Sequence, residues 1–184
     1  MKKVLIVSAH DTVVESVANK YLLEDLKAKL PEAVFDDLDA QYADFQFDVK
    51  AEQKKMEEAD IIVLQFPLYW YSMPALLHRW MEQTFTHGWS HGTTGQALQG
   101  KTLIASFTTG APEGAYTPEG FMKHDLQDYF YTLECTCILT GMNWGGLVVT
   151  QGVSYTDRKP ENEGTTREKM AAHADKLIAK LNTI

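Results

Sequence analysis

Apolar residues along this 184-residue chain fall into two alternating kinds of stretch. Short, nearly continuous runs at 4–9, 61–66 and 103–107 are rich in Val, Ile, Leu and Phe. Runs of that length and composition predict strands buried on both faces of a parallel sheet. Two weaker runs follow the same logic. At 33–38, Val34, Phe35 and Leu38 stand among acids and predict an edge strand, and 147–150 predicts a short final strand. Between the runs the spacing becomes helical. Val17, Ala18, Tyr21, Leu22, Leu26 and Leu30 predict a helix capped at or a few residues before Ser16 and stopped by Pro31. Residues 49–58 read as a charged helix, and Leu76, Leu77, Trp80, Met81 and Phe85 mark one face of a helix over 74–85. A longer helix is expected over 121–139, ending at Gly141, and a last one over 166–181, opened by a capping box of Thr165 and Glu168. The glycine-rich tract 88–100 predicts a loop.

Five strands alternating with five helices specify an α/β protein whose parallel sheet is covered on both faces. For one domain spanning 1–184 the expected arrangement is flavodoxin-like, with strand order 2-1-3-4-5. That order sets strands 1, 3 and 4 side by side. The loops after Ala9, Phe66 and Phe107 then meet at the carboxyl ends of the strands, where open α/β sheets bind their ligands.

Composition narrows the partners. Hydrophobic and charged contents of 45% and 23% are ordinary for a globular protein. A formal net charge of −8 gives the chain as a whole no basic footprint for nucleic acid or an anionic membrane. No apolar run approaches the roughly 20 residues of a membrane helix. The N-terminal MKKVLIVSAHD turns polar after a handful of apolar residues, so neither membrane insertion nor a secretory leader is expected, and the expected location is cytoplasmic. Cys135 and Cys137, two apart on one helix, point to different faces and are expected to be buried, reduced thiols.

The three meeting loops carry the candidate chemistry. The first breaks at His10-Asp11-Thr12 and runs into a helix N-terminus, whose free N–H groups and positive dipole end favour phosphate. His10, Ser16 and Asn19 add donors there, and neither a Walker lysine pattern nor G-x-G-x-x-G is present. The second loop belongs to the stretch 61–74, IIVLQFPLYWYSMP. Pro67 is expected to end the strand, and Tyr69, Trp70 and Tyr71 follow as a platform of rings before Pro74 opens a helix. In isolation such rings serve equally in a core or a dimer interface. In the third loop, Thr108-Thr109-Gly110-Ala111, small residues let the backbone approach a ligand edge. Phosphate anchorage, an apolar slot for a flat ring and donors at the ring's far edge are together what a flavin requires.

The pieces His10 with Ser16-Val17-Ala18-Asn19, Phe66 through Pro74 (FPLYWYSMP), His87-Gly88-Trp89, Gly100-Lys101, and Thr108-Thr109-Gly110 with Tyr116 occur in the order found in a known family. On these the chain resembles the flavodoxin-fold NAD(P)H:quinone oxidoreductases, which include the bacterial drug-activity modulators and the ancillary subunits of glutathione-regulated potassium efflux. The resemblance implies that His10, Ser16, Ala18 and Asn19 hold the phosphates of FAD or FMN. It implies that Pro67, Leu68, Tyr69, Trp70 and Tyr71 line the ring, and that Thr108, Thr109, Gly110, Ala111 and Tyr116 meet its far edge. Tyr116 and His91 are the implied catalytic residues, His91 standing where many relatives carry an aromatic over the ring. Two positions depart from the longer mammalian-type members: Ala111 replaces a second glycine, and Met122 replaces a histidine six residues after the tyrosine. No relay through that histidine is expected, and His124 reads as a solvated loop residue. His87 and His91 are spaced as two metal ligands on a helix would be, but Gly88 and Gly92 argue against a helix, and no metal is expected.

The activity implied is ping-pong reduction of a quinone or similar flat acceptor, with NAD(P)H as co-substrate and a homodimer as the working form. Two other readings stay open on the sequence: a regulatory flavoprotein subunit of a potassium-efflux transporter, and a flavodoxin-like electron carrier.

Overall fold

The computed structural model describes residues 2–10, 16–154 and 159–184, so Asp11 and Thr12 of the first loop lie outside the described residues. Its strands are β1 (Val4–Ser8), β2 (Val34–Asp37), β3 (Ile61–Pro67), β4 (Thr102–Thr108) and β5 (Asn143–Thr150). They form one five-stranded sheet in the order β2-β1-β3-β4-β5, parallel at each pairing, with β2 at the edge. The helices are α1 (Val17–Lys29), α2 (Leu38–Gln41), α3 (Val49–Glu58), α4 (Ala75–Thr84), α5 (Tyr131–Thr140) and α6 (Glu163–Leu181). Among the described residues no helix is long and apolar enough to cross a membrane.

Alternation along the strands divides the core in two. Ile6, Val63, Ile104 and Val148 face α1 and α6, packing against Leu22, Leu26, Met170 and Leu177. Leu5, Val7, Ile62, Leu64 and Leu103 face the other way, onto Met56 of α3, Leu77 and Trp80 of α4, and Leu133 and Cys137 of α5. Toward the carboxyl ends of the strands the α1/α6 face turns polar: Gln65 of β3 bonds Asn19, and its register partner Ser106 of β4 bonds His173.

Five details differ from expectation. β3 runs one residue past 61–66, with Pro67 as its last residue, paired in register with Thr108. The Gln65 carbonyl accepts from Ala9, just past β1, while the Leu68 N–H donates to Thr108 of β4. The nitrogen of Pro67 therefore faces the β1 side, where the ladder has already finished, and its missing donor costs nothing. The helix expected over 121–139 forms late: a 3-10 helix at Leu126–Phe130, capped by Asp125, leads into α5, after a turn in which Lys123 has φ 61°. Gly141, with φ 71°, does close it. β5 begins at Asn143 rather than 147, carrying a bulge in which Trp144 pairs Leu103 and Leu147 pairs Ala105. The close approach needs Gly145, where a Cβ would lie 2.7 Å from Ile104 Cγ1. The Thr165/Glu168 capping box is absent: α6 starts at Glu163 on the heels of a Pro160–Asn162 turn, and Thr166 is buried inside it. Finally, Cys137 is buried but Cys135 is exposed; both are free thiols.

Candidate functional site at the carboxyl edge of the sheet

Ser16 caps α1 by accepting from the Asn19 N–H at 3.2 Å, and the Asn19 side chain donates back to the same Oγ at 3.3 Å. Gln65 Nε2 donates to Asn19 Oδ1 at 3.1 Å, which ties the helix start to the central strand. The N-terminus of α1 is thereby held at the end of β3, with its N–H groups turned toward a cavity of about 250 Å³. Of the sequence-predicted residues, the cavity brings together His10, Ser16, Ala18, Asn19, Pro67, Leu68, Tyr69, Thr108 and Gly110. None of its described lining residues is Lys, Arg, Asp or Glu, so an anion entering it meets helix N–H groups, hydroxyls, an amide and an imidazole.

His10 is 5% exposed and held from two sides: its N–H donates to Asp39 of α2 at 2.5 Å, and its Nε2 lies 3.2 Å from the Tyr69 hydroxyl. Sequence reasoning missed Asp39, which follows an edge strand that gave no signal for a site. It also missed Val153, Ser154 and Thr166, which complete the cavity wall. The first two follow β5 directly, and the carboxyl-edge rule applied to that strand finds them.

Beyond Tyr69 the chain makes a two-residue turn in which Tyr69 and Ser72 exchange backbone hydrogen bonds at 3.0 and 2.9 Å. Trp70 and Tyr71, its central residues, have φ 48° and 65°, the pattern of a type I′ turn normally filled by Asn-Gly. Left-handed geometry at a bulky residue costs on the order of 1–3 kcal/mol each. The turn directs Trp70 outward, 92% exposed, and it is not a wall of the 250 Å³ cavity. Tyr71 is also outside that cavity and instead stacks on Tyr129, centroids 5.5 Å apart. On the other side of the turn lies a second cavity of about 850 Å³, walled by Trp70, Phe45, Met73 and Leu76, which shares Leu68 and Tyr69 with the first. Ligand sites usually measure about 300–1,000 Å³. The smaller cavity therefore suits the phosphate end of a ligand, with the bulk of the molecule lying outside it.

The third loop is partly committed to the sheet. Thr109 is 1% exposed, its N–H donates to Thr150 at 3.0 Å and its hydroxyl to Ala111 at 2.9 Å. Thr109 and Ala111 are thus placed to shape the loop rather than to face the cavity. Tyr116, 8% exposed, stands behind that loop, and its phenol is pushed up first by burial and then by the neighbouring Tyr71 and Tyr129. His91 is not brought to this edge. It lies in the loop from α4 into the start of β4, the opposite end of the strands, where His87 and His91 rings stand edge to face 5.6 Å apart. Trp89 of the same loop donates to Glu57 of α3 at 2.6 Å. His124 is exposed and pairs with Asp128 at 3.5 Å.

Beneath the site His173 of α6, fully buried, bridges two strands: Nε2 lies 2.8 Å from Ser106 and Nδ1 2.8 Å from Thr150. Burial, and then Lys176, lower its pKa to about 4. The unfolded chain binds this proton near pH 6.5 and the folded chain only near pH 4, so stability is fully present above the higher value and lost as pH falls between them. The expected loss approaches roughly 3 kcal/mol by pH 4. Urea titrations at pH 7, 5.5 and 4.5 check this, and His173→Gln should flatten that part of the profile.

The family model described as "Flavodoxin-like fold" matches residues 2–176. The chain is 42% identical over 142 residues to the glutathione-regulated potassium-efflux system ancillary protein KefG of Cronobacter sakazakii, covering 77% of each. Among solved structures, general stress protein 14 of Treponema denticola in complex with FMN matches with a TM-score of 0.81 and 28% identity, over 95% of this chain and 99% of that one. The NADPH-quinone reductase of P. pentosaceus matches with a TM-score of 0.76 and 25% identity, over 94% and 97%. With the strand order, the carboxyl-edge cavity and a family match over nearly all its length, this chain belongs to the flavodoxin-like fold family.

Proposed function

We propose that the protein is a flavin-dependent NAD(P)H:quinone oxidoreductase, one flavin-binding domain over 1–184 that works as a cytoplasmic homodimer. The observation that carries this is the cavity at the N-terminus of α1, whose neutral donors suit a phosphate and whose size suits the phosphate end alone. The FMN bound by the Treponema denticola protein supports a flavin here, with FMN the first candidate and FAD the second. The NADPH-quinone reductase likeness supports the reaction class.

In this reading Ser16, Ala18, Asn19 and His10 receive the phosphate, Asp39 holds the His10 backbone N–H and Tyr69 meets the His10 ring. Pro67, Leu68 and Tyr69 wall the passage from phosphate to ring, and Thr108 and Gly110 meet the ligand on the far side. Tyr116 points its phenol O–H toward the acceptor end, protonated at neutral pH as any tyrosine is, and burial favours that neutral form further. When bound, the flavin supplies two-electron chemistry, taking a hydride from NAD(P)H and passing it to a quinone or other flat acceptor. The outward Trp70 supports a role at the subunit contact rather than on the ring.

The test is the visible spectrum of the purified protein under anaerobic NADPH and then menadione. A yellow protein that NADPH bleaches and menadione restores is the expected result, and chromatography of the released cofactor identifies it. A colourless protein that neither FMN nor FAD reconstitutes overturns the proposal. The likeness to KefG favours a second reading, a regulatory subunit of a potassium-efflux system, which predicts that the protein raises efflux when expressed with such a transporter.

A further inference from the structure

Tyr129 is the one described residue whose ring meets three others, among them one in the turn after β3 and one in the loop after β4. It stacks on Tyr71 at 5.5 Å with planes 22° apart, meets Tyr116 edge to face at 5.9 Å and 86°, and receives the edge of His124 at 6.2 Å and 73°. Its own backbone is fixed. The helix Leu126–Phe130 carries a reciprocal capping box, Asp125 and Asp128 each accepting from the other's backbone N–H, and Phe130 beside it is buried against Phe66 and Phe107. Tyr129 is thus a rigid post between the turn after β3 and the loop after β4.

We propose that Tyr129 is a positioning residue that joins these two loops into one wall of the acceptor site, holding the strained Tyr71 turn and the Tyr116 phenol in register for a flat aromatic acceptor. The turn needs such a partner. Trp70 at 92% exposure gives it no packing, and Tyr71 in left-handed geometry has Tyr129 as its stacked ring. Two perpendicular ring contacts from one side chain fix the position of both neighbours, because the stacked face restrains Tyr71 and the edge contact restrains Tyr116. Both contacts are made by the ring of Tyr129, so a phenylalanine should serve as well for holding the two neighbours. The acceptor role rests on the reductase reading above, whereas the hold on the turn does not.

The test uses Tyr129→Phe and Tyr129→Leu in the full chain. Without flavin, hydrogen exchange at the Tyr69 and Ser72 amides, which bond each other across the turn, should speed about tenfold in Tyr129→Leu and stay unchanged in Tyr129→Phe, while β3 and β4 amides keep their protection. In flavin-loaded enzyme, Tyr129→Leu should raise the menadione KM about tenfold with kcat little changed, and Tyr129→Phe should match wild type. Unchanged turn exchange in Tyr129→Leu overturns the proposal, as does faster exchange spread over the whole chain. The expected exchange with an unmoved menadione KM overturns the acceptor role. A wild-type protein that neither binds flavin nor reduces menadione overturns the reductase reading and that role with it, and the exchange result alone then decides the hold on the turn.

Discussion

Replacing Glu52 with alanine is expected to cost about 3–5 kcal/mol of unfolding free energy, because it leaves two donors without their acceptor at about 1–3 kcal/mol each. Glu52 of α3 has no solvent exposure. Its Oε2 accepts from Trp80 Nε1 at 2.8 Å, and its Oε1 accepts from the Tyr42 hydroxyl at 2.8 Å and Lys55 at 2.6 Å. Lys55 also meets Asp36 of β2 at 2.7 Å. One carboxyl therefore joins α3, α4 and the segment after β2, and its loss leaves an indole N–H and a phenol without their acceptor, while Lys55 keeps Asp36 as its partner. Burial first, and the adjacent Asp36 next, hold the Glu52 carboxyl above its ordinary pKa. The loss would remove a large part of the roughly 5–15 kcal/mol typical of a domain. Urea unfolding at pH 7 in flavin-free protein checks it, since bound ligand would mask the change. In a double-mutant cycle Trp80→Phe, which removes the donor, should cost clearly less in the Glu52→Ala background than alone. A loss below about 1 kcal/mol with no coupling would show that these donors find other partners.

How much of this was legible in the sequence follows from where the information is stored. The order of the sheet was, because 61–66 and 103–107 are each apolar but for one residue and an open parallel sheet has few topologies. Ser16 as a cap and Gly141 as a stop were legible because both act within one turn of chain. The late start of α5 was not: the apolar spacing of 121–125 suits a helix, but Lys123 at φ 61° and the cap at Asp125 put the boundary further on. The early start of β5 was not legible from 147–150 either, and the approach of Ile104 to Gly145 shows that the strand runs through a bulge there. In the site, the cavity residues nearest the chain breaks were found, while those placed by long-range contacts were not. Asp39 and Tyr129 matter through partners 29 and, for Tyr71, 58 positions away in sequence. For Trp70, residue type and loop position both suggest a ligand platform, and the backbone turn places the ring outside the smaller cavity, on the wall of the larger one. One local signal went unused: Gln65 and Ser106 are polar residues inside otherwise apolar strands, and together with His173 on the apolar face of α6 they mark the polar layer under the cavity.

The sharpest test of the phosphate assignment is Ser16→Asp, which should preserve the fold and weaken FMN binding about 100-fold or more. Aspartate caps helices as well as serine does, and its charge complements the N-terminal dipole, so α1 keeps its start. The acceptor that Asn19 uses at 3.2 and 3.3 Å is retained as a carboxylate oxygen. What changes is the cavity, which acquires an anion where its described lining residues include no acid. Two unit charges about 4 Å apart repel by about 4 kcal/mol at an effective dielectric of 20, and a phosphate carries more than one charge. Even half of that repulsion, relieved by solvent and small shifts, leaves more than a tenfold loss, and the full value exceeds a hundredfold. Riboflavin, which has the ring and the ribityl chain but no phosphate, provides the control: its binding should be nearly the same in wild type and variant. Fluorescence titration of flavin-free protein with FMN and with riboflavin separates the cases. Loss of FMN alone places the phosphate at the start of α1. Equal loss of both ligands points to a disturbed ring site, and unchanged FMN binding in a folded variant removes the phosphate from this cavity and with it the roles given to His10, Ser16 and Asn19.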